Sequence, residues 1–219
     1  MPTTEEVLRG ELNEEQYDAA TDTASEVLTL ACAGSGKSRT LAFRIAWLIA
    51  EQGADPEGIV AFTFTEKAAD SIKLRVAHAL QACGLDTNFL GRMYIGTIHS
   101  YCQYLLGIAD ARYRQYEVLD DNRLKLYLIE NYPQLGLQNF RPRANGRYFE
   151  VIRQCYEAWT HHNEELIDPA AVAQHDQEIS DFLVRLRDGL DQDEFLDFSL
   201  MQRLAVEALQ AGDPGAVES

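Results

Sequence analysis

Lysine is scarce in this 219-residue chain: it stands only at positions 37, 67, 73 and 125, so most of the 19 basic residues are arginine. The 35 acidic residues outnumber them and leave a net charge of −16. Cysteine is sparse too. Cys32, Cys83, Cys102 and Cys155 are scattered with no C-x-x-C pair, which excludes the usual zinc and iron–sulfur spacings and suits reduced thiols in a cytoplasm. No apolar run is long enough to span a bilayer, and the polar, acidic N-terminus is not that of a signal peptide. The expected location is cytoplasmic, with no membrane partner. There is no internal repeat and no low-complexity tract. A hydrophobic content of 46% over this length is enough for one large or two small cores.

What is there begins with residues 30–38, Leu-Ala-Cys-Ala-Gly-Ser-Gly-Lys-Ser. Residues 27–30 (V-L-T-L) before it read as a buried parallel strand. After it, Leu41, Ile45, Leu48 and Ile49 fall on one face of a helix. Strand, Gly-rich turn and helix form the setting of a phosphate-binding loop, and so point to a nucleoside triphosphate. Gly34 and Gly36 free the backbone to turn its N–H groups onto phosphate oxygens, and the positive end of the helix faces the same anion. Lys37 is placed to reach the terminal phosphates, and the Ser38 hydroxyl to ligate Mg²⁺. Ala31 stands where the general G-x-x-x-x-G-K-[ST] pattern has its first glycine. Taken alone, the run also fits a Gly/Ser turn that happens to precede a lysine.

Three further blocks surround the loop: Leu12-Asn13-Glu14-Glu15-Gln16 upstream, residues 61–69 (A-F-T-F-T-E-K-A-A) downstream, then Ile95-Gly96-Thr97-Ile98-His99-Ser100. In this order and spacing they resemble the N-terminal part of the UvrD/Rep/RecB group of superfamily 1 DNA helicases, over most of residues 12–105. The loop of that family usually reads A-x-A-G-S-G-K-[ST], which accommodates Ala31. The T-E-K-A-A form is nearer to the RecB/AddA branch, because the common version has Asn where this chain has Glu66.

The resemblance implies a role for each matching residue. Ala33, Gly34, Ser35, Gly36, Lys37 and Ser38 hold ATP, with Mg²⁺ reached through Ser38. Gln16 reads the adenine edge, and Arg39 stacks near the base. Taken alone, Gln16 also fits a solvated helix residue and Arg39 a surface arginine. The 61–69 block matches a single-stranded-DNA motif. Residues 59–64 read as a second buried strand, and Thr65 as the cap of a helix beginning near Glu66. Thr63, Phe64 and Thr65 would then lie at the C-terminal edge of the sheet, where open α/β sheets bind ligands. Phe64 would offer its ring to a base, although after an apolar strand it also fits a core aromatic. Thr97, His99 and Ser100 follow a third short strand, residues 93–96, and suit a phosphate backbone. His99 alone would rank as structural.

Charge is unevenly spread. Residues 1–80 carry 7 basic and 13 acidic groups, residues 81–150 carry 8 and 7, and residues 151–219 carry 4 and 15. The middle segment, with Arg141, Arg143 and Arg147, is the least hostile to phosphate. An acidic, lysine-poor surface suits a salt-rich cytoplasm, where screening mutes repulsion from DNA.

The remainder reads as helices. Leu124, Tyr127 and Leu128 share a face before Pro133 and Gly136 break the pattern. Val151, Ile152, Cys155 and Trp159 form the inner side of a helix over residues 147–161. Asp168-Pro169 marks another start, and Ile179, Phe182, Leu183, Leu186 and Leu190 keep helical spacing. His161 and His162 are adjacent and do not share a helix face, which disfavours a metal site.

The expected fold is α/β: a RecA-like P-loop parallel sheet with an inserted all-helical subdomain. Residues 1–108 would form the first part of the ATP-binding domain and residues 109–195 the insertion. Residues 196–219 would return to the first domain through a D-F-x-x-[LM] helix at 197–209. The one Asp-Glu pair, Asp193-Glu194, follows D-G-L-D-Q and not an apolar strand, so it is not the Mg²⁺-holding acidic motif. The chain is thus expected to be an N-terminal piece, with residues 216–219 leading toward the missing strand. Its parent would be an ATP-dependent, 3′–5′ DNA helicase of repair or recombination, meeting single-stranded and duplex DNA and protein partners in such a complex. A P-loop small-molecule kinase and a stand-alone, non-catalytic binding module are the alternatives.

Overall fold

Each of the first two helices starts where a side chain can satisfy its free amides. In the computed structural model, which describes residues 2–212, Thr3 and Glu6 form a reciprocal capping box at the start of α1 (Thr4–Glu11). Asn13 and Gln16 form a second one at α2 (Glu14–Thr21). Then come α3 (Lys37–Gln52), β1 (Val60–Thr63), α4 (Glu66–Ala82), β2 (Tyr94–Thr97) and α5 (Ile98–Ala109). The chain divides into two compact units, residues 1–101 and Cys102 onward, so α5 begins in one and ends in the other.

In the first unit β1 and β2 pair in parallel, with Thr63 opposite Thr97. The crossover between them is α4, which packs on both strands and on α3. Leu8, Phe43, Ile45, Ala61, Val76, Leu80 and Ile95 form the core between these elements. The strands predicted at 59–64 and 93–96 are present, the first shorter by a residue at each end and the second shifted by one, and Thr65 caps α4 as expected. Only Ala61 of β1 is buried; Val60 and Phe62 face outward, so this strand is covered on one face and not on both.

Two expectations fail here. Residues 27–30 form no strand: Leu28 and Leu30 are 85% and 86% exposed. A buried strand must pair its backbone groups on its edges, and among the described residues no neighbour offers a ladder to this segment. The inner face of α3 is also not the expected one. Of Leu41, Ile45, Leu48 and Ile49 only Ile45 is fully buried; Ala42, Phe43 and Ala46 take the core side. Small residues let α1, α2 and α4 approach α3 closely, and the ring of Phe43 fills the space between them.

The second unit contains β3 (Glu117–Leu119), α6 (Asp121–Glu130), α7 (Tyr148–Glu164), α8 (Pro169–His175), α9 (Gln177–Gln192), β4 (Phe195–Asp197) and α10 (Phe198–Gln210). β3 and β4 pair in parallel, so the segment 109–195, expected to be all-helical, is not: residues 117–119 find a ladder partner in residues 195–197, a pairing between segments far apart in sequence that helical periodicity does not reveal. The helix faces fall where the 3.6-residue period put them: Leu124, Tyr127 and Leu128 in α6, Val151, Ile152, Cys155 and Trp159 in α7, Phe182, Leu183, Leu186 and Leu190 in α9. Asp168 caps α8. Residues 213–219, including the segment expected to lead into a further strand, lie outside the described residues. Among the described residues no helix is long and apolar enough to cross a membrane.

A buried polar network joins α7 to α10. The Trp159 indole donates to Asp197 Oδ1 at 2.9 Å, and the Ser199 hydroxyl and amide donate to Oδ2 at 2.6 and 3.0 Å. Nearby, Arg203 donates to the carbonyls of His162 and Ile167, and to His162 Nε2 at 3.1 Å. Arginine is a donor only, so Nε2 is the acceptor and the neutral ring carries its proton on Nδ1, which is buried without a partner.

Burial, then the charges of Arg203 and Arg187, push the His162 ring down to about 4, with Glu207 opposing. Below about pH 6.5 the unfolded chain binds a proton that the folded chain refuses. This contribution to stability therefore falls between pH 6.5 and 4, by a total on the order of 3 kcal/mol. Urea unfolding followed by Trp159 fluorescence in a Trp47→Phe background checks this. His162→Gln should flatten the slope in that window, and an unchanged slope would refute the assignment.

Candidate phosphate loop and strand-end site

The loop folds on itself. Gly34 and Gly36 have φ of +80° and +89°, and the Ser35 amide and hydroxyl donate to the Cys32 carbonyl at 3.3 and 2.8 Å. α3 opens directly at Lys37 with Gly36 as its cap, and no side chain satisfies the first turn. The N–H groups of that turn therefore point off the helix end, the arrangement that favours an anion. The Lys37 ammonium lies back along the loop and donates to the carbonyls of Ala31 and Cys32 at 2.9 and 2.7 Å. Thr40 closes the turn by donating to the Gly36 carbonyl.

Gln16 reaches this loop. Its Nε2 donates to the Ser35 carbonyl at 2.8 Å, while its Oε1 accepts the Asn13 amide at 3.2 Å. Part of the amide expected to read a base thus secures the turn and caps α2. The signal was present in the sequence, because Asn13-x-x-Gln16 is a capping-box pattern. A cavity of about 640 Å³ beside the loop is lined by Gln16, Leu30, Ala31, Ser35, Lys37 and Thr40, among others. Arg39 does not line it. Its guanidinium pairs with Glu11 at the end of α1.

Parallel pairing puts both strand ends on one edge. There the Thr63 hydroxyl donates to the Thr65 carbonyl at 2.7 Å and accepts the Thr65 amide at 3.1 Å. Thr65 Oγ1 accepts the Ala68 amide. Phe64, between them, is wholly exposed, which excludes the core-aromatic alternative.

Glu66 ties this end to the next one. Its Oε1 accepts from Ser100 Oγ at 2.7 Å and Thr97 Oγ1 at 3.1 Å, and these two hydroxyls lie 2.8 Å apart. The Ser100 and Thr97 bonds hold the Glu66 carboxyl below the usual carboxylate range. Thr63–Thr65 and Thr97–Ser100 are therefore brought together, and His99 is half-buried between Ile98 and Ser100. In the sequence Glu66 served only as a branch marker. A carboxylate at the first position of a capped helix, with hydroxyls at the next helix start, was the available clue.

Within the cluster Arg141, Arg143 and Arg147, the charge of Arg143 is taken up internally. Arg143 pairs with Asp176 and Glu178, and Arg141 donates to the Tyr132 hydroxyl. His162 is spent on Arg203, and no group of three metal-ligating side chains occurs among the described residues.

A Cβ on Gly36 would lie 2.6 Å from Gln16 Nε2, in a left-handed conformation that costs a non-glycine residue roughly 1–2 kcal/mol. Gly36→Ala should destabilise the first unit by at least that much, read as faster hydrogen exchange in α2 and α3. Adding Gln16→Ala should relieve the clash but not the strain, so recovery is partial. Full recovery would show that the backbone conformation costs nothing.

Comparison with known proteins matches residues 12–218 to the family described as UvrD/REP helicase N-terminal domain. DNA helicase II of Escherichia coli (strain K12) is 39% identical over 119 residues, 52% of this chain and 16% of that protein. ATP-dependent DNA helicase PcrA of Bacillus subtilis (strain 168) is 33% identical over 192 residues, 85% of this chain and 24% of that protein. ATP-dependent DNA helicase UvrD1 of Mycobacterium leprae (strain TN) is 36% identical over 139 residues, 60% of this chain and 17% of that protein. The chain thus spans 16 to 24% of the length of these relatives. With the family matched across nearly its whole length, the chain belongs to the UvrD/REP helicase N-terminal domain family.

Proposed function

We propose that this chain is the ATP- and single-strand-binding part of an ATP-dependent DNA helicase, of 3′–5′ polarity and used in repair or recombination. The observation that carries the reading is the self-closed loop over Ala33, Gly34, Ser35 and Gly36, opening onto the uncapped start of α3. Such a loop offers converging amides and a helix dipole to a triphosphate.

The residues fit ATP with Mg²⁺. Lys37 holds only carbonyl oxygens of its own loop, so an incoming phosphate is the stronger partner for the ammonium. Ser38, one residue into α3, presents a hydroxyl for the metal ion. Gln16 and Arg39 meet the base once Arg39 leaves Glu11. Bound Mg²⁺ supplies charge neutralisation of the phosphates.

At the strand ends Phe64 offers a stacking platform to a base, with Thr63, Thr65, Thr97, His99 and Ser100 around it. The two units correspond in this reading to a RecA-like domain begun by residues 1–108 and a helical insertion over 109–195. Residues 196–212, whose α10 packs on α7 in the second unit, would precede the return. The kinase and stand-alone-module readings draw no support from a family match over residues 12–218.

Among the described residues Asp193 and Glu194 follow α9, and Asp193 accepts the Tyr127 hydroxyl at 2.7 Å. That pair follows a helix and not an apolar strand, so it is not the acidic motif that would hold Mg²⁺, and the 219-residue chain should bind Mg·ATP without turning it over at helicase rates. Equilibrium titration of a fluorescent ATP analogue tests the loop. Lys37→Ala should weaken binding at least tenfold, and Ser38→Ala should remove its Mg²⁺ dependence. Unchanged affinity in Lys37→Ala would overturn the proposal.

A further inference from the structure

The hydrogens at the strand-end edge can be counted. A hydroxyl has one to give. Thr63 gives its own to the Thr65 carbonyl, and Thr97 and Ser100 both sit on Glu66 Oε1. None of these three is left to donate to a phosphate oxygen, whereas Thr65, whose Oγ1 accepts the Ala68 amide, keeps its own hydrogen. Glu66 adds a formal negative charge at the first position of α4, where the helix dipole would otherwise draw an anion. Lys73 on the same helix is paired with Asp70 at 3.5 Å. What the edge does present to solvent is the whole ring of Phe64. In the same unit the rings of Phe62 and Tyr101 meet edge to face, 5.4 Å apart between centroids.

We infer that Glu66 is a specificity-determining residue of this edge: its carboxylate occupies the hydroxyl pair of Thr97 and Ser100 in place of a phosphate, so the edge takes single-stranded DNA by its bases and not through that pair. This rests on the strand-binding reading above and deepens it. Phosphate contacts position a strand and base contacts engage its faces. An internal anion at the first kind of site leaves the second kind to hold the strand. Lys67, the next residue of α4, is a long flexible cation able to follow the backbone without the hydroxyls.

The test uses the full 219-residue chain and two labelled 16-nucleotide probes, oligo(dT) and an abasic strand of equal length, titrated from 50 to 200 mM KCl. The wild-type chain should bind oligo(dT) at least tenfold more tightly than the abasic strand. Phe64→Ala should remove most of that preference. Glu66→Gln keeps the hydroxyl acceptor and loses the charge. It should tighten binding of the abasic strand several-fold and steepen the slope of log affinity against log salt by about 0.7, one phosphate on a single strand. Adding Thr97→Val and Ser100→Ala to Glu66→Gln should cancel that gain, whereas in the wild-type background the same pair should change affinity less than twofold.

Equal wild-type affinity for the two probes would overturn the inference and leave a strand-binding edge that works through phosphates. So would a tenfold loss on removing the hydroxyls alone. A base preference with no response to Glu66→Gln would overturn the role of Glu66 only. Binding of neither probe would overturn the strand-binding reading itself, and this inference with it.

Discussion

One carboxylate oxygen, Glu66 Oε1, holds the two strand ends of the first unit in a single arrangement. The parallel pairing of β1 and β2 sets Thr63 opposite Thr97, and each strand runs at once into a helix. Two helix starts side by side would leave two sets of unsatisfied amides and two positive dipole ends on one edge. Thr65 and Thr97 meet the amides of Ala68 and Ser100 with their hydroxyl oxygens, and Glu66 meets the charge. These groups are therefore partnered from within before any ligand arrives. What the edge presents outward is aromatic.

The same economy governs the phosphate loop. Lys37, Gln16 and Arg39 each have an internal partner: the loop carbonyls, the Ser35 carbonyl and Glu11. In a chain of net charge −16, a cation left free would be drawn to one of many carboxylates. Arg143, on Asp176 and Glu178, shows where that leads. In the proposed reading a nucleotide would exchange with existing contacts rather than fill empty ones. Carbonyl oxygens are weak competitors for Lys37, whereas Glu11 is a full charge opposite Arg39. The phosphates thus meet less internal competition than the base does.

How much of this could be read from residues alone depends on how local each signal is. The faces of α6, α7 and α9 were legible because a 3.6-residue period is a property of one segment, as is the Asp-Pro start of α8. The loop was legible because Gly34 and Gly36 are demanded by backbone geometry. Residues 27–30 were not, because burial of a strand is decided by its neighbours, which composition cannot supply. The inner face of α3 was misread for a related reason: Leu41, Leu48 and Ile49 are the larger side chains, but Ala42 and Ala46 permit the closer helix contact. Glu66 escaped notice as a contact because its partners are 31 and 34 residues away.

In the second unit a buried polar network supplies the specificity that apolar contact lacks. The apolar contacts of α7, α9 and α10 are not directional and by themselves select one register only weakly. The Trp159 indole has one N–H, and it meets one buried carboxylate, Asp197, whose other oxygen is already held by Ser199 at the start of α10. A slide by a turn would strand both groups away from water, a far larger penalty than a lost methyl contact. Arg203 adds a second lock one turn on, since its guanidinium needs the carbonyls of His162 and Ile167 together. Asp197, read in the sequence as part of a family helix start, therefore sets the register of α10 against α7 as well as capping it.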